Sequence, residues 1–295
     1  MFEFQEINFD TKELIASYIG SDKENSELNF TNMFMWKDYY RSRFFIWKNM
    51  IVFMHTLPDG EMICNYPCGI GDEKACLIDL KKYFDSLGKP LVITNANKSE
   101  GEFFKTVFPD GEVSKNRDFE DYIYTTQSLI SFSGKKLHAK KNHLNRFKSK
   151  YPQYIYRELG PEDFDRCMEF SSRIMNPMDY TQEISVEGEY MSLKRLFDNF
   201  SELGLKGGII EVDGNIAAFA VGEQYTTTGA LIHAEKADVS YDGIYAAINN
   251  EFVKNAWSHT EFINREEDMG VEGLRKSKLS YRPVRLVEKY NCFVK

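Results

Sequence analysis

The spacing of apolar residues predicts a regular succession of strands and helices along the chain. In the first half, apolar runs at 44–47 and 50–55 flank Lys48-Asn49 and predict a β-hairpin, which a third run at 62–66 extends. The period then becomes helical at 76–87, and a short buried strand follows at 90–94. Further elements predicted in this half are helices at 14–19, 30–40 and 103–108 and a strand at 122–124.

The second half shows a similar order with clearer spacing. A strand at 154–159 precedes two amphipathic helices, one beginning at Pro161 and one carrying apolar residues from Leu193 to Leu203. The elements that follow are a meander of strands at 208–212, 215–223 and 230–235, a helix at 241–257, a strand at 261–264, a helix at 271–280 and a last strand at 285–290. This is the element order of a GNAT acyltransferase domain.

Because the order occurs twice, we predict an α/β protein with mixed sheets, built from two tandem GNAT-like acyltransferase domains. The first is expected to span residues 1–128. The second is expected to span 129–295 and to begin with a basic linker helix. A chain of 295 residues is long enough for two such cores.

Composition narrows the classes of function. The formal net charge of -8 argues against general affinity for nucleic acid, and DNA is not expected as a partner. No apolar stretch is long enough to span a membrane and the N-terminus is acidic, so we expect a cytoplasmic protein without a transmembrane segment. The five cysteines lack the spacing of a disulfide framework or a zinc site, so we expect free thiols and no metal.

One strongly basic segment stands out in this acidic chain. Residues 134–150 contain seven Lys or Arg and no acidic residue. Lys140, Lys141 and Arg146, with Asn142 beside them, are candidates for an anion-binding or substrate-binding surface, through which tRNA is a possible partner. The alternative is an ordinary linker helix between the two domains.

The helix predicted from residue 241 is the candidate site for an activated acyl donor. GNAT folds bind the donor's pyrophosphate at the free amides of this helix N-terminus. The corresponding loop in this chain places Ser240, Gly243 and Tyr245 at the motif positions, and only Gly243 fits the motif. Coenzyme A or acyl-coenzyme A is therefore a candidate cofactor, with a simple turn glycine as the alternative.

Acyl transfer needs a base, a proton donor and cationic groups for phosphate. Glu235, at the end of a predicted central strand, is the candidate base, and Tyr281, just past the last helix, is the candidate proton donor. Arg275, Lys276 and Lys278 are candidates for holding phosphate. The alternatives are an edge-strand ion pair for Glu235, a packed ring with its hydroxyl at the surface for Tyr281 and a solvated helix face for the basic residues.

Three strings carry a resemblance to a known family: Lys-Lys-Asn-His at 140–143, His-Ala-Glu-Lys at 233–236, and the polar run from Asn264 to Tyr281. Over essentially its whole length, the sequence resembles a bacterial family related to the C-terminal domain of phosphatidylglycerol lysyltransferases. The resemblance implies a double GNAT fold and transfer of an acyl or aminoacyl group, from coenzyme A or aminoacyl-tRNA, to an amine or hydroxyl. It adds Asn264 and Asp268 as candidate substrate-binding residues. The alternative function is a non-catalytic binding or regulatory module that retains the fold.

Overall fold

The computed structural model describes residues 2–21, 23–175 and 185–295. Its strands are, in chain order, β1 (Gln5–Glu6), β2 (Arg43–Trp47), β3 (Met50–Thr56), β4 (Met62–Asn65), β5 (Cys68–Gly69), β6 (Leu91–Ala96), β7 (Glu112–Lys115), β8 (Asp121–Thr125), β9 (Ile155–Glu158), β10 (Lys206–Val212), β11 (Asn215–Gln224), β12 (Gly229–Ala237), β13 (Phe262–Asn264), β14 (Arg285–Val287) and β15 (Tyr290–Val294). Its α-helices are α1 (Lys12–Ile19), α2 (Phe30–Trp36), α3 (Glu73–Ser86), α4 (Lys98–Val107), α5 (Thr126–Ser131), α6 (His138–Lys150), α7 (Phe164–Ile174), α8 (Val186–Asp198), α9 (Ile244–Ala256) and α10 (Glu272–Ser280).

The chain divides into two compact units. The first consists of Met1–Glu120 with Val287–Lys295, and the second of Asp121–Leu286. This division differs from the expected boundary at 128/129 because two strands belong to the sheet of the other half: β8 lies in the second sheet and β15 in the first. The predicted last strand at 285–290 is correspondingly two strands, β14 and β15, in different sheets. Such pairings depend on contacts distant in sequence, which local periodicity does not reveal.

The first unit is built on a sheet with the strand order β1-β2-β3-β4-β6-β15-β7, to which β5 adds by pairing with β3. Strands β4 and β6 are parallel and are joined through α3, whereas β15 runs antiparallel to both of its neighbours. Residues of α3 that recur at helical spacing, among them Leu77, Leu80 and Phe84, are fully buried in the core of this unit. All five cysteines of the chain are free and buried.

The second unit has the strand order β14-β8-β13-β12-β11-β10-β9. Strands β9 to β12 form an antiparallel meander, β12 and β13 are parallel, and α9 connects these two strands. The apolar side of α9, with Ile248 and Phe252, packs into the core of this unit, and α6 packs beside it. Within the part of the chain that the structure describes, no helix has the length and apolar character needed to cross a membrane.

Candidate active site

The parallel strands β12 and β13 separate at one end of the second sheet. They pair only between Gly229–Leu231 and Phe262–Asn264, whereas β12 continues to Ala237. Glu235 lies on β12 beyond the last paired residue, and Arg265 follows the end of β13. Their side chains therefore meet in the gap between the two strands. Parallel strands with a helical crossover provide such a gap, in which polar groups can contact a ligand.

Two backbone irregularities lie close to this gap in the sequence. The register between β11 and β12 pairs Val221 with Ala234 and Gly222 with Ile232, which skips His233. Just after β13, Glu266 adopts a left-handed conformation with φ of 53°. Bulges and left-handed residues of this kind redirect side chains and are frequent beside functional sites.

The buried imidazole of His233 lies between two carboxylates. Its Nε2 is 2.8 Å from Oε1 of Glu223, and its Nδ1 is 3.2 Å from Oε1 of Glu266. Burial disfavours the imidazolium, but these two carboxylates outweigh burial and raise the pKa of His233 to about 9. The protonated ring therefore joins β11, β12 and the loop after β13 through ionic hydrogen bonds.

The Glu235 carboxylate is held from two directions. Nη2 of Arg265 donates to its Oε1 at 2.8 Å, and Nδ2 of Asn249, on α9, donates to its Oε2 at 3.1 Å. The side chains of Glu235 and Arg265 are each 10% exposed. Although burial alone would lower the pKa of Arg265, the Glu235 carboxylate keeps that pKa above its ordinary value. This is a buried ion pair with hydrogen bonds on both carboxylate oxygens.

Two cations lie against the ring of Tyr281. Nζ of Lys140, from α6, is 3.8 Å from the ring centroid, and Cζ of Arg265 is 4.6 Å from it. Burial, followed by the nearby Arg265 charge, lowers the pKa of Lys140 to about 8, although Glu235 opposes this change. The ammonium group of Lys140 therefore loses its proton closer to neutral pH than an exposed lysine does. The Tyr281 ring face opposes this loss, because it stabilises the charged form.

The Tyr281 ring is itself a core side chain. It is 1% exposed and contacts the rings of Tyr124 and Phe132 at centroid distances of 6.4 and 5.9 Å. Burial raises the pKa of its hydroxyl, and Arg265 opposes the rise. The ring is thus packed, but it is enclosed rather than placed with its hydroxyl at the surface, and Lys140 and Arg265 lie against it.

The polar residues between Arg265 and Tyr281 mainly bind one another and so stabilise the loop that follows β13. Arg275 binds Asp268 through two hydrogen bonds of 2.9 and 2.6 Å, and Asp268 is fully buried. Lys278 is buried as well, and its Nζ donates to the carbonyl oxygens of Arg265 and Glu267. Asn264 donates to Asp121 at 3.3 Å and accepts from the Glu266 amide at 2.8 Å. Arg275 and Lys278, expected to hold phosphate, are instead engaged within the protein.

Other predicted donor-binding groups lie away from the Glu235 pair. Lys276 is exposed and pairs with Glu272 on the same helix at 2.6 Å. Ser240 is exposed, and its amide donates to Asp238 at 2.9 Å. These positions leave neither residue in contact with Glu235, Arg265 or Tyr281 among the interactions of the described residues.

Gly243 is required by helix packing. It has φ of 88°, and a Cβ there would collide with the carbonyl oxygen of His143 on α6. The backbone at Gly243 therefore lies against the basic helix, which gives this glycine a packing role of the kind that the turn-glycine interpretation describes.

The basic helix α6 contributes one residue to the site and exposes others. Lys140 points to Tyr281, whereas Lys141 and Asn142 are exposed. Arg146 pairs with Asp242, in the loop before α9, at 3.1 Å. The predicted anion-binding residues thus separate into one inward lysine, one ion-paired arginine and an exposed surface.

Sequence reasoning missed Arg265, Asn249 and His233 as site residues. The sequence did contain a signal for Arg265. The carboxyl ends of two adjacent parallel strands lie at the same edge of a sheet, so Arg265, just after β13, is expected near Glu235, close to the end of β12. Asn249 interrupts the apolar side of α9 with a buried amide, which is a second signal. Among the described residues, no group of three or more His, Cys, Asp or Glu side chains is placed to hold a metal ion.

Comparison with known proteins identifies relatives of this chain. A family model for the C-terminal domain of phosphatidylglycerol lysyltransferase matches residues 20–293. A conserved protein of unknown function from Bacteroides thetaiotaomicron has a crystal structure that is 34% identical, with both chains covered in full and a TM-score of 0.90. An uncharacterized protein of Mycoplasmoides gallisepticum is 27% identical over 176 residues, or 58% of this chain, and the match spans only 54% of that relative's length.

More distant structures share the fold. The structure of L-PGS from Bacillus licheniformis is 15% identical, covers 98% of this chain and 92% of its own, and has a TM-score of 0.63. A tandem GNAT protein from the clavulanic acid biosynthesis pathway is 9% identical, covers 99% of this chain and 98% of its own, and has a TM-score of 0.52. The predicted tandem GNAT-like fold with two mixed sheets is confirmed. Since the family model matches nearly the whole chain, this protein belongs to the family of phosphatidylglycerol lysyltransferase C-terminal domains.

Proposed function

We propose that the second unit transfers an aminoacyl group from an activated ester to an amine or hydroxyl acceptor. The observation that carries the proposal is the meeting of Glu235, Arg265 and Lys140 around the Tyr281 ring, where β12 and β13 separate. This arrangement combines a fixed cation with a titratable amine in a largely buried setting. Acyl transfer requires both, because negative charge develops on the carbonyl oxygen and the acceptor must lose a proton.

In this mechanism the acceptor attacks the ester carbonyl carbon, and the bond from that carbon to the leaving oxygen then breaks. Arg265 stabilises the negative charge on the carbonyl oxygen. Lys140 in its neutral form takes the proton from the acceptor and returns it to the leaving oxygen, for which its pKa of about 8 is suitable. Glu235 is a positioning residue that orients Arg265, a change from the role of general base that the sequence alone indicated.

The donor that these features favour is aminoacyl-tRNA rather than coenzyme A. The Ser240 amide is already bonded to the Asp238 side chain, and the Tyr241 and Ile244 amides are bonded to the carbonyl oxygens of Asp238 and Tyr241, so the loop before α9 offers few amides to a pyrophosphate. An exposed basic surface formed by Lys135, Lys136 and Lys141 lies on the segment that also supplies Lys140. The membership of a family named for lysyl transfer supports the same donor.

The catalytic roles are tested by measuring transfer from aminoacyl-tRNA with Lys140→Arg and Lys140→Met. We expect both to lower kcat/KM by about 10² to 10⁴, because neither side chain exchanges a proton near neutral pH. The wild-type rate should rise with pH to a plateau above about pH 8, and the variants should lack this rise. Lys254→Met, at an exposed position of α9, is the matched control.

Full activity of Lys140→Arg would show that the lysine acts only through its charge. A wild-type protein that transfers nothing from either aminoacyl-tRNA or acyl-coenzyme A would favour the alternative, a binding module that retains the fold.

The donor is tested by binding of aminoacyl-tRNA over a range of salt. Replacing Lys135, Lys136 and Lys141 with Gln should reduce the log-log salt slope by roughly 0.7 to 0.9 for each phosphate group that the protein no longer binds. Lys276→Gln serves as a control, since this exposed lysine lies outside that surface. A slope unchanged by the triple replacement would exclude this surface as the tRNA site.

A further inference from the structure

His233 occupies a bulge in β12, two residues before Glu235. The register of pairing between β11 and β12 skips this residue. A bulge gives up part of the strand pairing, and the extra residue directs its side chain differently from its neighbours. The transfer reaction proposed above uses Glu235 but gives His233 no task, so a reason for the bulge has to be sought in what the imidazole contacts.

The imidazole bridges two carboxylates that come from different parts of the sheet. Its Nε2 is 2.8 Å from Oε1 of Glu223, on β11, and its Nδ1 is 3.2 Å from Oε1 of Glu266, in the loop after β13. The ring is fully buried. Only the protonated imidazole donates to both carboxylates at once, because the neutral ring has one N–H and one acceptor nitrogen. The geometry therefore requires the charged form of His233.

The second carboxylate belongs to a residue whose backbone is constrained. Glu266 has φ of 53°, in the left-handed region that residues other than glycine, asparagine and aspartate seldom adopt. Its amide donates to Oδ1 of Asn264 at 2.8 Å, and its carbonyl oxygen accepts from the Tyr122 amide at 3.2 Å. Such a conformation persists where the surroundings hold it, and the ionic hydrogen bond to His233 is one of the contacts that do so.

The conformation of Glu266 determines where the preceding residue points. Arg265 leaves β13 directly before the left-handed residue, and its Nη2 then reaches Oε1 of Glu235 at 2.8 Å. Lys278 holds the carbonyl oxygen of Arg265 from the side of α10. His233 ties the same turn back to β12, the strand that carries Glu235. The bridge thus sets the spacing between the two groups of the buried ion pair.

We propose that His233 is a positioning residue that acts through Glu266: it fixes the turn after β13 and thereby holds the Arg265 guanidinium beside Glu235. The inference rests on the function proposed above, in which Arg265 stabilises charge on the carbonyl oxygen. A histidine that only joined strands would affect stability and leave Arg265 in place. A histidine that positions Arg265 also affects Lys140, because the Arg265 charge adds to burial in lowering the pKa of that lysine.

The first measurement is an NMR titration of Lys140 in the wild type and in His233→Gln, which depends on no transfer assay. Glutamine is polar but uncharged, so neither ionic hydrogen bond forms. We expect the pKa of Lys140 to rise from about 8 toward the ordinary value of a lysine, because a displaced Arg265 repels the ammonium less and leaves Glu235 without its partner. Arg265→Gln should cause the same rise. His259→Gln, at an exposed histidine after α9, should cause none.

The second measurement is transfer from aminoacyl-tRNA. His233→Gln should lower kcat/KM by about 10-fold to 10²-fold, as expected when a catalytic group is displaced by about 1 Å. In an Arg265→Lys background the same change should cost much less, because the residue through which His233 acts is already altered. Glu266→Gly removes the carboxylate, and glycine accepts the left-handed backbone without strain, so this change should add little to His233→Gln. His259→Gln is again the control.

An unchanged pKa of Lys140 in His233→Gln would overturn the inference, whatever happens to transfer. Equal costs of His233→Gln in the wild-type and Arg265→Lys backgrounds would overturn it as well. If His233→Gln fails to fold, Glu266→Gly must produce the same rise in the Lys140 pKa. A wild type that transfers nothing would remove the proposed function, whereas a raised Lys140 pKa in His233→Gln would still show that His233 positions Arg265.

Discussion

Arg265 is a buried cation that forms an ion pair with the Glu235 carboxylate. Glu235 neutralises it at 2.8 Å, and both side chains are 10% exposed. Removing one partner of a buried ion pair leaves an uncompensated charge, which is far more destabilising than loss of an exposed pair. The chain offers a matched exposed pair in Glu272 and Lys276, whose side chains are 80% and 73% exposed.

Glu235→Ala should therefore lower the free energy of unfolding by about 3 to 5 kcal/mol. Glu272→Ala should lower it by about 0.5 kcal/mol or less. Urea denaturation of both variants beside the wild type measures the difference. Similar effects of the two changes would mean that the Glu235 pair is not buried as described.

His55, in the first unit, is a second residue whose environment predicts a measurable property. The Ser42 hydroxyl donates to its Nδ1 at 2.8 Å, and its Nε2 donates to Oδ1 of Asn65 at 3.1 Å. Burial lowers the pKa of His55 to about 4, and the bond to Asn65 only partly opposes this. The folded protein thus keeps this imidazole neutral at a pH where the unfolded chain already binds a proton.

Stability should accordingly fall as the pH is lowered from about 6.5 to about 4, by up to about 3 kcal/mol from this group alone. Above about pH 6.5 this histidine no longer lowers the stability of the folded protein, because the imidazole is neutral in both the folded and the unfolded state. His55→Gln should flatten the decrease in this window, whereas the exposed His138→Gln should keep it. Identical pH dependence of the two variants, measured by chemical denaturation, would contradict the assignment.

Helices α6 and α9 touch at a position where only glycine fits. Gly243 combines φ of 88° with a backbone so close to the His143 carbonyl oxygen that a Cβ would overlap it. Gly204 has a similar φ of 71° but no atom within 4 Å of its Cβ position. Substitutions at these two glycines therefore distinguish two energetic costs. Gly204 reports the cost of a left-handed backbone alone, and Gly243 adds the cost of displacing α6.

Gly204→Ala should lower the free energy of unfolding by about 1 kcal/mol, the cost of left-handed backbone alone. Gly243→Ala should lower it by about 1 to 3 kcal/mol more, because α6 must move away. Since α6 carries Lys140, Gly243→Ala should also reduce transfer, whereas Gly204→Ala should not. Equal stability losses, measured by thermal or urea unfolding, would show that α6 does not constrain residue 243.

The C-terminal strand gives a prediction for the whole molecule. Strand β15 lies between β6 and β7, and its Cys292 is fully buried in the first unit. Deleting residues 287–295 should expose the edges of both neighbouring strands and reduce hydrogen-exchange protection in β6 and β7. Strands β11 and β12 should keep their protection. Deleting only the exposed Lys295 is the control, and unchanged protection of β6 in the longer deletion would contradict the topology.

The sequence by itself determined most elements and the fold class. Helices such as α3 and α9 were predictable because their apolar residues recur at helical spacing. The β2–β3 hairpin and the Asp213-Gly214 turn were predictable because turn residues separate apolar runs. Glu235 was proposed from its place at the end of a predicted strand and Tyr281 from its place just past the last helix. Both roles stay predictions, and both side chains contact Arg265.

Tertiary structure decided which groups are available for chemistry. Arg275 and Lys278 are cationic residues of the kind that bind phosphate. In the folded loop, however, Arg275 binds Asp268, and Lys278 binds the carbonyl oxygens of Arg265 and Glu267. Lys140 and Arg265 are 125 positions apart in the sequence, yet both lie against the Tyr281 ring. Strands β8 and β15 likewise pair with strands of the other half of the chain. Periodicity reports how each segment alternates between core and solvent; it contains no information on which distant charge neutralises which, and that pairing defines the site.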